Sequence, residues 1–232
     1  PTILIFSNFL RFPNAIHTIC WLPYLLLGIN YSAGNKNIFK SSLLIFFSTL
    51  FIFTAGYPYF IIYIFVFVCF YVLFILFAKD LNFKRIINFI LKIFFPSFIS
   101  LLISLPWFYG VSKTLRLAQD RNLYDFDYAT AHSFNFLDVL GSWFYPIISN
   151  TEGRYYFGII LSFLVIRYLF YFLSNLNKTD IFEKKIFIFA LLSFLVITSL
   201  ASSKDSIIFT FIWSHVDFIQ NMRTWPRINI LL

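Results

Sequence analysis

Two carboxylates and a histidine are the side chains in this sequence best suited to acid–base chemistry. Asp125 and Asp127 stand at positions i and i+2. In a tight turn this spacing brings two carboxylates together, where they can bind a divalent metal or act as a general base. On a helix the same spacing points them apart, and they then only solvate a loop. His132 can transfer a proton near neutral pH or simply face solvent. These three residues are the candidate catalytic groups.

Four arginines are suited to binding phosphate. Arg116 and Arg121 precede the carboxylates, and Arg223 and Arg227 lie four residues apart near the end of the sequence. The planar guanidinium group of arginine can bind a phosphate through two hydrogen bonds. Arginines that snorkel to lipid headgroups give the same pattern. Both interpretations remain open from the residues alone.

The residues before the carboxylates predict a short helix, 112–122. Ser112 is a suitable N-cap, and Lys113, Arg116 and Asp120 fall on one face at i, i+3 and i+7. This face is either a cationic ledge for a phosphate or pyrophosphate group or a solvated surface with an Arg116–Asp120 ion pair.

A second predicted helix, 134–146, follows the histidine. Its apolar residues stand at 136, 137, 140, 143 and 144, and polar residues lie opposite, so the segment is suited to lying in the membrane interface. Trp143 and Tyr145 would sit at the depth of the lipid headgroups, and Pro146 would end the helix. Such a helix can steer a lipid-borne substrate or only anchor a long loop.

The elements that carry these residues are long apolar segments separated by short charged gaps. The chain is 60% hydrophobic and 12% charged, with a mean hydropathy of +0.81. About 20 apolar residues span the roughly 30 Å hydrocarbon layer as a helix, which satisfies its own backbone hydrogen bonds. The sequence therefore predicts an all-α fold, a polytopic transmembrane bundle of six to seven spans. The predicted segments are 14–30, 42–55, 57–78, 86–108, 155–174, 186–201 and one that begins at residue 228.

The basic residues predict the orientation of this bundle. The short gaps 31–41, 79–85 and 175–185 together hold eight Lys or Arg, which places them in the cytoplasm. Because successive spans cross the membrane in opposite directions, the segments 109–154 and 202–227 are then expected outside. We expect one transmembrane domain over 1–232, with 109–154 as an extracytoplasmic loop that contains the interfacial helix. The chain starts without Met and ends in a new apolar run, so we expect a fragment of a longer protein.

Charge and membrane patterning exclude some functions. The net charge of +8 reflects basic cytoplasmic loops rather than a stripe of Lys and Arg, so nucleic acid is not an expected partner. Membrane lipid is. No predicted span carries a carboxylate near its centre, which argues against a transporter driven by protons or sodium.

Several short stretches, taken in order, resemble one bacterial family. Residues 17–26 resemble the H-x-x-x-W-L-P-L helix start of the large YfhO-type membrane proteins, which are related to the C-type (GT-C) glycosyltransferase superfamily. Tyr57 and Tyr59 depart from the family pattern, where His and Gln stand, and Pro226 lies closer to Arg227 than is usual. The other similar stretches are 55–59 (G-H-P-Q in the family), 105–106 with Arg116 and Arg121 (its outer loop), 155–158 (its Y-I-G helix opening) and 222–227 (its arginine–proline–arginine segment).

The resemblance implies a multi-pass enzyme of the bacterial cytoplasmic (inner) membrane. Such an enzyme would transfer a sugar from a polyprenyl-phosphate donor to an envelope glycan, lipid or protein acceptor. Its main acidic base or metal ligand would lie upstream of residue 1, so a divalent metal is possible and no metal ligand is assigned here. Arg223 and Arg227 would hold the carrier phosphate, and Arg116 and Arg121 would line the outer cavity. Asp125, Asp127 and His132 would be secondary catalytic candidates.

Two other classes fit the same outer cationic residues. A lipid or oligosaccharide flippase or transporter would move its substrate without forming a glycosidic bond. A non-catalytic membrane assembly subunit would neither move a substrate nor form a glycosidic bond.

Overall fold

The structure is a computed structural model that describes residues 17–34, 37–54, 58–79, 82–117, 126–130, 159–175, 179–202, 204 and 206–216. These residues form helices, the turns that join them and no strand, which confirms the predicted all-α class. The chain divides into two compact units, one of residues 11–121 and one of residues 1–10 and 122–232. Each unit is described by itself.

The structure describes four long helices in the first unit, which lie close to the apolar segments of the sequence. Within α3, residues Phe60–Ala78 are long and apolar enough to cross a membrane, and so are Phe83–Lys113 of α4. Helix α2 is also apolar but has 17 residues, and α1 begins next to Pro23, whose fixed φ suits the first turn of a helix. The helices are α1 (Leu22–Ala33), α2 (Ile38–Thr54), α3 (Pro58–Ala78) and α4 (Phe83–Leu117).

Helix α4 corrects the prediction of a separate helix at 112–122. Its 35 residues run without a break to Leu117, a length of about 52 Å. Ser112 is not an N-cap, because its hydroxyl donates to the carbonyl of Tyr109, 2.9 Å away, inside the helix. The preceding Gly110 weakens a helix by only about 1 kcal/mol relative to Ala, which is too little to end it. The helix therefore extends beyond a hydrocarbon layer of roughly 30 Å.

Small and hydroxyl-bearing residues hold α1, α2 and α4 together. Gly28 of α1 lies so close to α2 that a Cβ there would be 2.8 Å from Cγ1 of Ile45. Ser41 of α2 donates to the carbonyl of Gly28 at 2.9 Å and also hydrogen-bonds Ser32. Ser100 of α4 bonds across to the carbonyl of Phe46 of α2 at 2.7 Å. Close approach at small residues and hydroxyl bonds between helices are the usual means of packing in lipid.

Helices α2 and α4 run parallel. Ser100 pairs with Phe46, and further along both helices the ring of Phe108 contacts that of Phe53, with centroids 5.6 Å apart. Both helices therefore begin at the same end, which the sequence predicts to be cytoplasmic.

The described part of the second unit contains a further candidate span and, within 202–227, a short helix that the sequence did not predict. Residues Glu183–Ala201 of α7 are long and apolar enough to cross a membrane. Asp180 caps α7 by accepting from the backbone N–H of Ile181 at 3.1 Å. Residues 202–227 were expected to be an outer segment, yet they contain the apolar helix α8. The described helices are α5 (Phe126–Ala129), α6 (Ile159–Ser174), α7 (Ile181–Ala201) and α8 (Ile207–His215).

The chain is thus an all-helical membrane protein with three candidate spans among its described residues. The total of six to seven spans stays a prediction. The predicted span at residue 228 and the interfacial helix at 134–146 lie outside the described residues.

Candidate functional site

An ion pair in the second unit joins two distant parts of the chain. The Nζ atom of Lys204 lies 3.5 Å from Oδ1 of Asp127, and 77 positions separate the two residues. Both side chains are open to solvent, with exposures of 59% and 81%. Such a pair adds at most about 1 kcal/mol to stability. Its significance is positional, because it brings a candidate catalytic carboxylate next to a cation.

The lysine lies in a turn that two serines hold in place. Ser206 is the N-cap of α8, and its hydroxyl accepts from the backbone N–H of Phe209 at 3.1 Å. The same hydroxyl lies 2.7 Å from that of Ser199 in the last turns of α7. These bonds tie the start of α8 to the end of α7, so the short turn that carries Lys204 has fixed ends.

The aspartate is positioned by the phenylalanine next to it. Phe126 begins α5, and its ring packs edge-to-face on Trp213 at 5.0 Å and against Phe209 at 6.3 Å. Thr130 closes this helical turn by donating to the carbonyl of Phe126 at 2.8 Å. Aromatic pairs of this kind contribute about 0.5–1.5 kcal/mol beyond their buried area. Asp127 is therefore anchored on α8 although its own carboxylate is exposed.

One histidine that the sequence did not single out also has a defined orientation. His215 ends α8, and its Nδ1 lies 2.8 Å from the carbonyl oxygen of Phe211. A carbonyl oxygen only accepts, so this contact is a hydrogen bond when Nδ1 carries the ring proton; the hydroxyl of Ser214 lies 2.9 Å from the same nitrogen. The ring also stacks on Phe211, with centroids 4.4 Å apart. His215 is therefore an oriented, exposed acid–base group in the second unit.

The other predicted site residues are only partly described. Arg116 lies in the last turn of α4, in the first unit. Asp125, His132, Arg121, Arg223 and Arg227 lie outside the described residues. Sequence reasoning missed Lys204, although its place in a short polar gap between two apolar runs marks it as a turn residue. Its contact with Asp127 could not be read from the sequence.

The described residues do not form a metal site. No group of three or more His, Cys, Asp or Glu side chains that could hold an ion occurs among them. Of this pair, the carboxylate can accept a proton, and the ammonium can bind a polar or anionic group. The described part of the site is therefore a small, solvent-open polar surface.

No family model, no curated protein and no solved structure matches this chain. The fold and hydropathy define its class as an all-helical membrane protein, and its activity is argued from the residues.

Proposed function

We propose that this protein is a glycosyltransferase of the bacterial cytoplasmic membrane that transfers a sugar from a polyprenyl-phosphate carrier to a cell-envelope glycan, lipid or protein. The observation that carries the proposal is the 3.5 Å contact between Lys204 and Asp127. It joins the polar segments 109–154 and 202–227, which the sequence assigns to the same outer side. All seven candidate site residues fall in these two segments.

The cationic residues would bind the donor. Arg223 and Arg227 hold the phosphate of the carrier, and Arg116 and Arg121 line the cavity that receives it. Lys204 adds a cation beside Asp127. A phosphate held by cations is also a better leaving group, because the charge that develops on its oxygen is stabilised.

The acidic residues would serve the acceptor. A hydroxyl oxygen of the acceptor attacks the anomeric carbon of the sugar, and the bond from that carbon to the carrier phosphate breaks. The electron pair leaves with the phosphate, and the hydroxyl proton passes to a base. Asp125, Asp127 and His132 are secondary candidates for that base. No step is assigned to a metal.

The test is a transfer assay in membranes from cells that make the complete protein. Labelled polyprenyl-phosphate sugars are supplied, and the label is followed from the carrier to an envelope acceptor. We expect transfer with at least one donor and a loss of at least about 100-fold in Arg223→Ala and Arg227→Ala, as for the removal of other transition-state charge contacts. Arg167→Ala is the matched control, because Arg167 is exposed on α6 outside both polar segments.

Two results would contradict the proposal. Transfer that is unchanged in both arginine variants would remove their assigned role. Movement of the carrier across the membrane without any new glycosidic bond would instead identify a flippase. Folding is checked for each variant by monodisperse elution in detergent, so that a loss of activity reports on the site.

A further inference from the structure

An open groove of about 470 Å³ lies between α2 and α4 in the first unit. This volume is within the range of about 300–1,000 Å³ that is typical of ligand sites. Phe39, Leu43 and Phe46 form the α2 side, and Phe95 and Ile99 belong to the α4 side. Several of these rings are widely exposed, with Phe39 at 74% and Phe95 at 63%. A groove of this composition on a membrane helix suits a hydrocarbon chain.

The polar lining of the groove is small and includes one cation. Lys92 of α4 and Ser42 of α2 are the polar side chains among its nine lining residues. Arg85, Asn88 and Lys92 stand at i, i+3 and i+7 and so share one face of α4. Arg85 and Asn88 are exposed. A row of polar and cationic side chains therefore extends from the beginning of α4 to the groove.

Helix geometry directs the lysine toward that same end. Side chains on an α-helix tilt toward its N-terminus, and long Lys side chains extend along an apolar surface to bring the ammonium to the lipid headgroups. Lys92 stands nine residues after Phe83, about 13 Å along the axis. Because α2 and α4 are parallel, the starts of both helices flank this end of the groove.

The charge around the groove is predominantly basic. Residues 17–117 carry eight Lys or Arg and one acidic residue, Asp80, and three of the basic residues, Lys84, Arg85 and Lys92, lie in the first part of α4. Basic groups between membrane helices on the cytoplasmic side attract anionic headgroups, by about fivefold in affinity for each Lys or Arg near the surface.

We propose that this groove is a binding site for an anionic glycerophospholipid. One acyl chain lies along Phe39, Leu43 and Phe95, and the phosphate is held by Lys92 and Arg85. The apolar lining requires the hydrocarbon chain, and the cations select the anionic headgroup. The site lies at the end of the first unit that is predicted to be cytoplasmic, and it is independent of the proposed sugar transfer.

Photolabelling with lipid in the membrane tests this site. The complete protein is reconstituted in phosphatidylcholine vesicles that contain a trace of phosphatidylglycerol with a diazirine in its acyl chain. We expect crosslinks within residues 39–46 and 91–99, at least about fivefold more than with the matching phosphatidylcholine probe. Lys92→Gln should lower the labelling about fivefold, and Lys92→Arg should retain it.

Lys40→Gln is the matched control for the lysine variant. Lys40 lies on α2 near the groove, whereas Lys92 lies on α4. The ammonium of Lys40 lies over the ring of Tyr31, 5.4 Å from the centroid. Because Lys40 does not line the groove and its ammonium contacts that ring, we expect its loss to lower the labelling much less than the loss of Lys92 does. Unlabelled phosphatidylglycerol should compete with the probe, whereas glycerol phosphate, which carries the anion without the chains, should not.

Three outcomes would overturn the proposal. Equal labelling by the two lipid probes would show that the groove contacts lipid without preferring an anionic headgroup. Unchanged labelling in a folded Lys92→Gln variant would show that Lys92 does not hold the phosphate. Displacement by glycerol phosphate would identify a site for a soluble anion. If Lys92→Gln does not fold, the comparison of the two probes on the unaltered protein decides alone.

Discussion

The hydroxyl of Ser41 on α2 lies 2.9 Å from the carbonyl oxygen of Gly28 on α1. This contact requires the two backbones to approach closely, and only a residue without a side chain allows that approach. A Cβ at position 28 would meet Cγ1 of Ile45 at 2.8 Å and Cβ of Leu44 at 3.1 Å. The close approach of α1 to α2 therefore depends on this glycine.

We expect Gly28→Ala to lower the free energy of unfolding by about 1–3 kcal/mol, the range for an overpacked interior. The added methyl group pushes α1 away from α2 and stretches the bond from Ser41. Unfolding in mixed detergent micelles, followed by helical circular dichroism, measures the change.

Gly110→Ala is the matched control for this substitution. Gly110 lies inside α4, and a Cβ there would meet nothing within 4 Å. We expect a gain of about 0.5–1 kcal/mol, because alanine restricts the unfolded chain and favours the helix. If both variants change stability in the same direction, the close approach at Gly28 is not what α1 and α2 depend on.

Ser100→Ala should weaken the contact between α4 and α2. The lost hydroxyl bonds the carbonyl of Phe46 at 2.7 Å, and bonds of this kind between membrane helices contribute about 0.6 kcal/mol on average. Ser112→Ala removes an exposed hydroxyl from the same helix, whose bond is local, and should change stability by less than about 0.5 kcal/mol. Equal effects of the two variants would argue against the contact.

Ser206→Ala should loosen the turn that carries Lys204. The variant removes the N-cap of α8 and the bond to Ser199, and loss of a cap costs about 1 kcal/mol. Hydrogen exchange at the Phe209 amide, followed by mass spectrometry, should rise about fivefold as a result. Ser214→Ala, at the other end of α8, should leave that exchange unchanged. Protection of Phe209 that persists in Ser206→Ala would contradict the role of the cap.

The predicted orientation can be tested by cysteine labelling. In a background with Cys20→Ser and Cys69→Ala, Lys204→Cys should react with an impermeant maleimide on intact spheroplasts. Lys84→Cys should react only after the membrane is opened, because its loop is predicted to be cytoplasmic. Labelling of Lys84→Cys on intact spheroplasts would reverse the orientation and move the proposed transfer site to the cytoplasm.

The long apolar elements could be read from the sequence. Helices α3, α4 and α7 lie where runs of apolar residues predict spans, since hydropathy averaged over about 20 residues depends on composition alone. The end of α4 could not be placed in this way. Ser112 has the residue type of an N-cap, yet a helix that is already formed continues through it, because propagation requires far less free energy than a new start.

The apolar helix α8 was also missed, although a local signal for it existed. Ser206 precedes the run Ile207–His215, which is the pattern of an N-cap before a helix. Its nine residues are too few to register as a span, so hydropathy alone assigned them to an outer segment.

The sequence by itself therefore determined that this protein is helical, that it lies in a membrane and which residues carry its few charges. Only the tertiary structure decided which of them meet. The contact between Asp127 and Lys204 joins residues 77 positions apart, and the groove beside Lys92 lies between α2 and α4, which the bond from Ser100 to Phe46 joins across 54 positions. The physical reason is that hydropathy is a property of each residue, whereas such contacts depend on the angles and offsets at which whole helices pack.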